Sequence, residues 1–243
     1  MRDKKVMIIT GGAGGIGSAI ARSAARKGYV PIILYREGKE AAVSLEKEIG
    51  SSLAMQCDIS SEEETRRMTE QVIGKFGRID ALVHCASPKI KYARFEKKTR
   101  EEFESHLSTS FFGAINCIRH VLPSMLAHRK GSIVTILSQN VIGEPQPGFS
   151  DYVGAKYALL GLTKSVAVEY GPKGIRANSV SPGMVETGFL EHFPRKAVEL
   201  EKEAKGGLTS PEEVANAVFL VLEDEKMNGK NLLVLRGETT IHG

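Results

Sequence analysis

Two tyrosine–lysine pairs in the chain have a spacing that suits acid–base chemistry. Tyr152 stands four residues before Lys156 in "SDYVGAKYALLG", and Tyr35 stands four before Lys39 in "LYREGK". On a helix this spacing places both side chains on one face, where an ammonium can shift a phenol toward general acid or base work. The segment after Tyr35 is charged and contains glycine, which predicts a turn, whereas Tyr152 begins a long helical pattern.

A serine upstream favours the second pair. Ser138 ends the predicted strand in "SIVTILS", and Tyr152 follows it by 14 residues (152 − 138), whereas no such serine precedes Tyr35. A hydroxyl at a strand end can stabilise charge that develops on a substrate oxygen. Ser138, Tyr152 and Lys156 are therefore the candidate catalytic residues, and a purely structural role for them is the less favoured alternative.

The elements that must position these residues alternate between strands and helices. Strands are predicted at "VMIIT", "PIILY", "SLAMQCD", "ALVHCA", "SIVTIL", "IRANSV" and "NLLVL". Helices are predicted at 16–27, at 61–76 and 99–128 with capping boxes at their starts, at 152–170, and after residue 210. The pattern predicts one α/β domain over residues 1–243, a Rossmann-like doubly wound sheet of seven parallel strands with helices on both faces. Its ligand crevice should lie beyond the carboxyl ends of the strands.

A glycine-rich turn follows the first predicted strand in "TGGAGGIG". Glycines 11, 15 and 17, or 12, 14 and 17, fit the two usual spacings of a pyrophosphate-binding turn that opens a helix. The alternative is a turn without ligand.

Arg36 stands after the second predicted strand. Its guanidinium suits a 2′-phosphate and favours NADP(H) over NAD(H). In the alternative, Arg36 is solvated and Glu37 binds the ribose.

Composition narrows the function classes. The 243 residues carry a net charge of +4, with 42% hydrophobic and 26% charged residues, and the basic residues are dispersed among acidic ones. Nucleic-acid binding is not indicated. The three cysteines and six histidines show no metal-ligand spacing, so we expect no metal. No signal peptide and no apolar run of about 18 residues is seen, so we expect a cytoplasmic protein without a membrane span.

Taken together, these motifs resemble the short-chain dehydrogenase/reductase family, and look closest to its 3-oxoacyl-[acyl-carrier-protein] reductases. The matching segments are "TGGAGGIG", "CDIS", Ser138, "YVGAK" and "NSVSPGMVETG". The resemblance implies that Tyr152 is the general acid, that Lys156 also binds the nicotinamide ribose, and that Ser138 binds the substrate oxygen. The cofactor-binding residues that it implies are Gly11, Gly15, Ile16, Gly17, Arg36, Asp58, Ile59, Ala86, Tyr152, Lys156, Pro182, Gly183, Val185 and Thr187.

The chain departs from the family pattern in three places. After the fourth strand it has "HCAS" where relatives show Asn-Asn-Ala-Gly, so the hydrogen bonds of an asparagine must be supplied differently. Ser110 stands where the family has the asparagine of its catalytic tetrad, and we expect its hydroxyl to bind the water of an altered proton relay. The chain ends in "VLRGETTIHG", which makes the tetramer or dimer implied by the resemblance less certain.

The resemblance also implies a mobile lid over the substrate at residues 188–207, the alternative being a plain surface helix pair. Apolar contacts to an acyl chain are expected from Phe189, Leu190 and Phe193, and contacts to an anionic group from His192, Arg195 and Lys196. An acidic acyl carrier protein is expected to dock on basic loop residues near the cleft rim, for which the candidates are Arg129, Lys130 and Lys173; the alternative is that these are merely solvated.

The function predicted from these features is NADPH-dependent reduction of a 3-oxoacyl thioester. The first alternative is a reductase or dehydrogenase of another carbonyl or alcohol, sugar-like or polyketide. An alternative of a different class is a non-catalytic dinucleotide sensor or scaffold on the same fold, and the intact Ser138, Tyr152 and Lys156 argue against it.

Overall fold

A single sheet runs through the computed structural model, which describes residues 4–243 apart from the side chains of Phe189 and His192. The described residues form eight strands in the order β3-β2-β1-β4-β5-β6-β7-β8. The strands are β1 (Lys5–Thr10), β2 (Tyr29–Tyr35), β3 (Leu53–Gln56), β4 (Ala81–His84), β5 (Gly131–Ile136), β6 (Ile175–Pro182), β7 (Asn231–Leu235) and β8 (Glu238–His242). The first seven are parallel to one another, as predicted.

The prediction of seven strands was wrong by one. β8 pairs antiparallel with β7, with Leu235 opposite Glu238, and Gly237 occupies the turn between them with φ 69°. The strand "ETTIH" has a single apolar residue and forms the outer edge of the sheet. An edge strand with little apolar surface gives a weak sequence signal, because its pairing depends on the neighbouring strand and not on burial.

Helices cover both faces of the sheet, because alternate residues of each buried strand point to opposite sides. The helices are α1 (Gly15–Arg26), α2 (Lys39–Ile49), α3 (Glu62–Phe76), α4 (Arg100–His106), α5 (Gly113–Ala127), α6 (Ser150–Tyr170), α7 (Arg195–Lys205) and α8 (Pro211–Glu223). In β1, Val6 and Ile8 face a core shared with α3, α5 and α6, and Met7 and Ile9 face a second core shared with α1, α2 and α8.

The helix predicted over 99–128 is interrupted in its middle. Thr99 and Glu102 form the expected capping box at its start, but a π-helical segment, Leu107–Phe112, separates α4 from α5. A π-helical turn holds one extra residue between hydrogen-bonded partners, and such turns are frequent at functional sites. The distortion falls on Ser110, one of the predicted catalytic residues.

The other two capping predictions had different outcomes. Ser210 and Glu213 form a complete capping box at the start of α8. At α3, Ser61 accepts the N–H of Glu64, but the Glu64 carboxylate accepts the N–H of Asp58 at 2.9 Å. That second bond ties the start of α3 to the loop after β3, where Asp58 and Ile59 were predicted to border the cofactor.

Candidate active site

A cleft of about 500 Å³ opens at the carboxyl edge of the sheet, where the turns that follow β1, β4, β5 and β6 meet. All the residues predicted to bind the cofactor, and three of the four predicted to be catalytic, line this one cleft. They are Gly11, Gly15, Ile16, Gly17, Arg36, Asp58, Ile59, Ala86, Ser138, Tyr152, Lys156, Pro182, Gly183, Val185 and Thr187. The missing residue is Ser110, which does not line the cleft.

Close backbone approaches explain the glycines of the β1–α1 turn. Gly11 has φ 63°, a conformation that side chains disfavour, and a Cβ on Gly17 would lie 2.2 Å from the carbonyl oxygen of Gly11. A Cβ on Gly15 would lie 2.4 Å from Cγ2 of Thr187. The first turn of α1 has neither an acidic residue nor a side-chain cap. Its N–H groups and positive dipole end therefore face the cleft open to an anion, which fits the pyrophosphate of a dinucleotide.

A guanidinium and two carboxylates lie at the far end of this cleft. Arg36, whose side chain is 54% exposed, forms an ion pair with Glu37 at 3.2 Å. The Asp58 carboxylate accepts the N–H and the hydroxyl of Ser60 at 3.0 and 2.7 Å, so it also holds its own loop in place. This end of the cleft offers a cation suited to a 2′-phosphate and carboxylates suited to ribose or adenine groups.

Ser138, Tyr152 and Lys156 meet as the spacing predicted. Ser138 follows β5 and lines the cleft together with Tyr152 and Lys156. The Lys156 Nζ donates to the carbonyl oxygen of Ile136 at 2.8 Å and lies 5.5 Å from the centroid of the Tyr152 ring. The backbone of β5 thus holds the lysine in the same cleft as the phenol and the serine hydroxyl.

Burial controls the proton affinities of this pair. Burial raises the pKa of Tyr152 to about 12, against the opposing effect of the Ser138 hydrogen bond. Burial also lowers the pKa of Lys156 to about 8. The Lys156 ammonium was expected to lower the pKa of the Tyr152 phenol. In the folded chain the pKa is raised instead, because the desolvation of the phenol dominates. The phenol is held in its protonated form at neutral pH, the form that a general acid requires.

His84, the last residue of β4, supplies the hydrogen bonds that the "HCAS" departure left open. Its Nε2 lies 3.1 Å from the carbonyl oxygen of Ser110 and its Nδ1 lies 3.1 Å from the hydroxyl of Thr10. The Thr10 oxygen accepts the backbone N–H groups of Cys85 and Ala86 at 3.0 and 3.1 Å. Since a carbonyl only accepts, Nε2 carries the proton and Nδ1 accepts from Thr10.

This network fixes the wall behind the cofactor cradle. Burial lowers the pKa of His84 to about 3, and the nearby Lys156 charge acts in the same direction, so the ring is neutral. A neutral His84 connects the ends of β1 and β4 to the π-helical segment. The sequence showed the departure but not that His84 replaces the asparagine. The position of His84 at the end of a buried strand was the signal that could have indicated this role.

Ser110 lies outside the cleft lining, and the water relay expected through its hydroxyl stays a prediction. Its hydroxyl is fully buried and has no hydrogen-bond partner among the described residues, and its carbonyl group is occupied by His84. The residue lies behind the wall of the cleft, and its neighbour Thr109 contributes to the lining instead. The π-helical turn directs the backbone of Ser110, not its hydroxyl, toward the strand that leads to the active site.

A buried charged cluster that the sequence did not indicate packs against Tyr152 through His106. Lys98 and Asp151 form an ion pair at 2.8 Å with side-chain exposures of 0% and 1%. The Nε2 atom of His106 lies 3.7 Å from the same carboxylate oxygen, and its ring packs edge-on against Tyr152 at 5.9 Å between centroids. Lys98 also donates to the carbonyl oxygen of Lys91. The three ionisable residues come from three separate segments, so no local motif announces them.

The predicted lid consists of a short 3₁₀ turn, Gly188–His192, followed by α7. No residue of α7 is buried, Leu190 lines the cleft, and Phe193 packs on Phe149 at 4.8 Å between ring centroids. Arg195 and Lys196 are exposed. The side chains of Phe189 and His192, also expected to contact substrate, lie outside the described residues.

The predicted carrier-docking residues do not lie at the rim of this cleft. Arg129 and Lys130 precede β5 and Lys173 precedes β6, so all three stand at the amino edge of the sheet. The cleft lies at the carboxyl edge, and β5, with six residues, separates the two edges by roughly 20 Å. Lys130 forms an ion pair with Glu225 at 3.3 Å, and Lys173 lies over the ring of Tyr170. Their expected position near the rim was wrong for a single chain.

Among the side chains that the structure describes, no group of three or more His, Cys, Asp or Glu is arranged to hold a metal ion. No helix in the described part of the chain is both long and apolar enough to cross a membrane.

The chain matches a protein-family model described as "Enoyl-(Acyl carrier protein) reductase" over residues 11–239. It is a short-chain dehydrogenase/reductase. Like the other members, this short-chain dehydrogenase/reductase is an oxidoreductase that acts on CH–OH or C=O groups and uses a nicotinamide dinucleotide. The family assignment confirms the resemblance that the motifs indicated.

Relatives at least 33% identical cover nearly the whole of this short-chain dehydrogenase/reductase. It is 33% identical to the 3-oxoacyl-[acyl-carrier-protein] reductase FabG of Thermotoga maritima over 91% of both chains. It is 34% identical to that of Staphylococcus aureus over 93% of both. It is also 33% identical to carbonyl reductase family member 4 of Xenopus tropicalis, over 95% of this chain and 96% of the relative.

Solved structures agree on the fold. The 3-ketoacyl-(acyl-carrier-protein) reductase of Brucella melitensis, complexed with NADH, superposes with a TM-score of 0.90 at 28% identity, over 96% of this chain and 97% of that one. An NAD⁺-bound xylitol dehydrogenase and ElxO with NADP bound each give 0.87 at 26% identity, over 95% and 97%. These neighbours differ in the dinucleotide that they bind and in the substrate that their names indicate.

Proposed function

We propose that the protein reduces a 3-oxoacyl thioester to the 3-hydroxyacyl product with NADPH. The observation that carries the proposal is the meeting of Ser138, Tyr152 and Lys156 in the same cleft as the glycine cradle, with Lys156 fixed by the carbonyl oxygen of Ile136. The similarity to 3-oxoacyl-[acyl-carrier-protein] reductases supports the choice of substrate. The enzymatic relatives and the intact trio argue against a non-catalytic sensor.

The chain's own residues perform binding and proton transfer. Bound NADPH supplies the hydride that the reduction requires. The hydroxyl groups of Ser138 and Tyr152 bind the substrate carbonyl oxygen, and the protonated phenol of Tyr152 transfers its proton to that oxygen as negative charge develops there. Lys156 is fixed by Ile136 and would hold the nicotinamide ribose. Its positive charge stabilises the phenolate that remains after proton transfer.

For the dinucleotide, we propose that Arg36 binds a 2′-phosphate and gives a preference for NADPH. A guanidinium hydrogen bond to a phosphate contributes about 1.5 to 3 kcal/mol. Arg36→Ala should therefore raise the dissociation constant of NADPH about tenfold or more and leave that of NADH nearly unchanged, as measured by fluorescence titration. Equal affinities of the unmodified protein for both dinucleotides would contradict this preference.

The catalytic proposal is tested by following NADPH absorbance with a 3-oxoacyl thioester and a panel of other ketones. Tyr152→Phe should reduce kcat by about 10²- to 10⁴-fold, because it removes the acid and leaves the ring in place. Tyr157→Phe is a matched control, since Tyr157 lies one turn along α6 from Val153 and is 46% exposed; it should keep full activity. Undiminished activity of Tyr152→Phe would rule out the mechanism.

The NAD⁺-bound xylitol dehydrogenase structure favours a second candidate function, that of a reductase or dehydrogenase of another, sugar-like ketone or alcohol. Faster reduction of such a ketone than of any 3-oxoacyl thioester in the same panel would favour it.

The cytoplasmic location stays a prediction. We also propose that the protein is a homo-oligomer, because one face of α6 exposes Tyr157 and Val168, the latter at 79%. Sedimentation of the purified protein measures this directly.

A further inference from the structure

A basic segment follows β4 at the carboxyl edge of the sheet, on the side of the substrate. We call residues 89–100 the rim segment. It contains six basic residues and one acidic residue, Glu96. Lys91, Arg94 and Lys97 are exposed on it. The segment begins directly after Ser87 and Pro88, which line the catalytic cleft, so its charges stand beside the entrance and not at the far edge of the sheet.

Much of this charge is not neutralised by the chain itself. Three basic residues of the rim segment form ion pairs. Lys98 forms the buried pair with Asp151, and Lys91 pairs with Glu102 at 3.2 Å. Arg100 pairs with Glu104. Within the described part of the chain, Arg94 and Lys97 have no carboxylate within ion-pairing distance. An excess of unpaired positive charge on one face attracts an acidic partner and accelerates its association.

Two large aromatic side chains stand among these charges. Phe95 is 72% exposed and Tyr92 is 47% exposed, although Tyr92 packs its edge against Phe149 at 5.7 Å. Exposed aromatic residues that alternate with basic ones are the composition of a protein interface, where aromatic and arginine side chains contribute most of the binding energy. The same composition is absent from the amino edge around Lys130 and Lys173, whose cations are engaged by Glu225 and Tyr170.

A groove connects the rim segment to the active site. It measures about 470 Å³, and its walls combine the rim segment with the lid: Lys89, Ile90, Lys91, Tyr92, Glu191, Phe193 and Pro194. Lys89 lines this groove and the catalytic cleft, so the two cavities adjoin there. Ile90, which also lines the groove, belongs to the apolar cluster that contains Tyr152. The groove therefore offers a flexible arm a route from the protein surface toward the phenol.

The rim segment is held rigidly against the catalytic helix. The N–H of Ala93 donates to the carbonyl oxygen of Gly148 at 3.2 Å. Gly148 has φ 89°, and a Cβ there would lie 2.3 Å from the ring of Tyr92. At the other end of the segment, Lys98 binds Asp151, the neighbour of Tyr152. A docking surface fixed to the helix that carries the acid aligns a delivered substrate with that acid.

We propose that the exposed face of the rim segment, formed by Lys91, Tyr92, Arg94, Phe95 and Lys97, is the docking surface for an acidic acyl carrier protein. The thioester arm of that partner would enter through the groove beside Lys89. This inference rests on the proposed 3-oxoacyl reductase function and replaces Arg129, Lys130 and Lys173 as the docking residues within one chain.

The test compares two charge reversals of equal size at the two edges of the sheet. The rim variant is Arg94→Glu with Lys97→Glu, and the matched control is Arg129→Glu with Lys173→Glu. All four side chains are at the surface. The substrates are a 3-oxoacyl group on acyl carrier protein and the same group on a short thioester without the protein. Binding of carrier protein loaded with a non-reducible acyl group is measured separately by titration calorimetry.

The rim variant should raise the dissociation constant and the KM for the carrier-bound substrate at least tenfold, and weaken their dependence on salt. Its kcat and its kinetics with the short thioester should stay within about twofold of the unmodified protein. A conservative variant, Arg94→Lys with Lys97→Arg, should bind like the unmodified protein. The amino-edge control should change neither binding nor turnover.

Loss in the amino-edge variant alone, equal loss in both, or no loss in the rim variant would overturn the proposal. So would failure of the unmodified protein to bind the carrier, including the case in which the rim binds anionic vesicles instead. Failure of the unmodified protein to reduce the short thioester would refute the proposed function. Because calorimetry needs no turnover, its result decides the docking proposal in that case also.

Discussion

Two buried lysines in contact with α6 are stabilised in different ways. Lys98 is paired with the carboxylate of Asp151 at 2.8 Å. Among the described residues, Lys156, at 2% exposure, has the carbonyl oxygen of Ile136 as its one hydrogen-bond partner, at the same distance. A carboxylate neutralises a buried ammonium, whereas a neutral carbonyl leaves most of its desolvation uncompensated. Burial accordingly lowers the pKa of Lys156 to about 8.

The difference distinguishes a lysine that stabilises the fold, Lys98, from a lysine that serves the reaction, Lys156. Lys98 closes a contact between the rim segment and α6, and the cleft does not contain it. Lys156 faces the cleft, where its uncompensated charge is available to a cofactor and to the phenol after proton transfer. Active sites retain such unfavourable groups because their charge is needed during the reaction. Replacing each lysine by methionine, which keeps the apolar stem, tests this distinction.

The largest effect on activity is expected from Lys156→Met. Removing the ammonium should reduce kcat/KM by about 10²- to 10⁴-fold, as measured with NADPH and a 3-oxoacyl thioester. The free energy of unfolding should be unchanged or higher, since an uncompensated buried charge has been removed. A strongly destabilised variant that retains its activity would reverse the comparison.

The largest effect on stability is expected from Lys98→Met. The variant leaves the Asp151 carboxylate buried without its cation and should lower the free energy of unfolding by about 3 to 5 kcal/mol in urea denaturation at fixed protein concentration. The double variant Lys98→Met with Asp151→Leu should recover most of that loss.

The matched control for this prediction is the exposed pair of Arg100 and Glu104, which has the shorter distance of 2.7 Å and side-chain exposures of 86% and 57%. Arg100→Ala should change the free energy of unfolding by less than about 0.5 kcal/mol. Similar losses in Lys98→Met and Arg100→Ala would show that burial does not determine the contribution of the Lys98 pair.

A smaller effect is expected from pH. The pKa of Lys156 is about 8 in the folded protein, below its usual 10.5, so between these values the unfolded chain binds more protons than the folded one. Stability therefore rises with pH across this window. From pH 7.5 to 9.5 the unmodified protein should gain about 2 kcal/mol relative to Lys156→Met. Comparing the two proteins removes the shared titrations, and parallel curves would contradict the lowered pKa.

The parts of the molecule that were predicted correctly rest on local patterns. Apolar runs of the β1 type, the glycine turn and the capping boxes of Thr99 and Ser210 depend on residues only a few positions apart. The family motifs then located residues that line the cleft, among them the Ser138–Tyr152–Lys156 trio. β8 was missed because a short polar edge strand has no apolar alternation of its own.

Only the tertiary structure determined the properties that depend on burial and on contacts between distant segments. The sequence determined the parallel sheet, its crevice and the residue types that line it, because the alternation of strands and helices and the glycine geometry follow from local chemistry. It could not show that Lys98, His106 and Asp151 meet, that His84 takes the carbonyl of Ser110, or that Arg129 and Lys173 lie at the opposite edge. Those facts arise from packing between segments, and packing also sets the desolvation that keeps Tyr152 protonated and Lys156 poorly compensated.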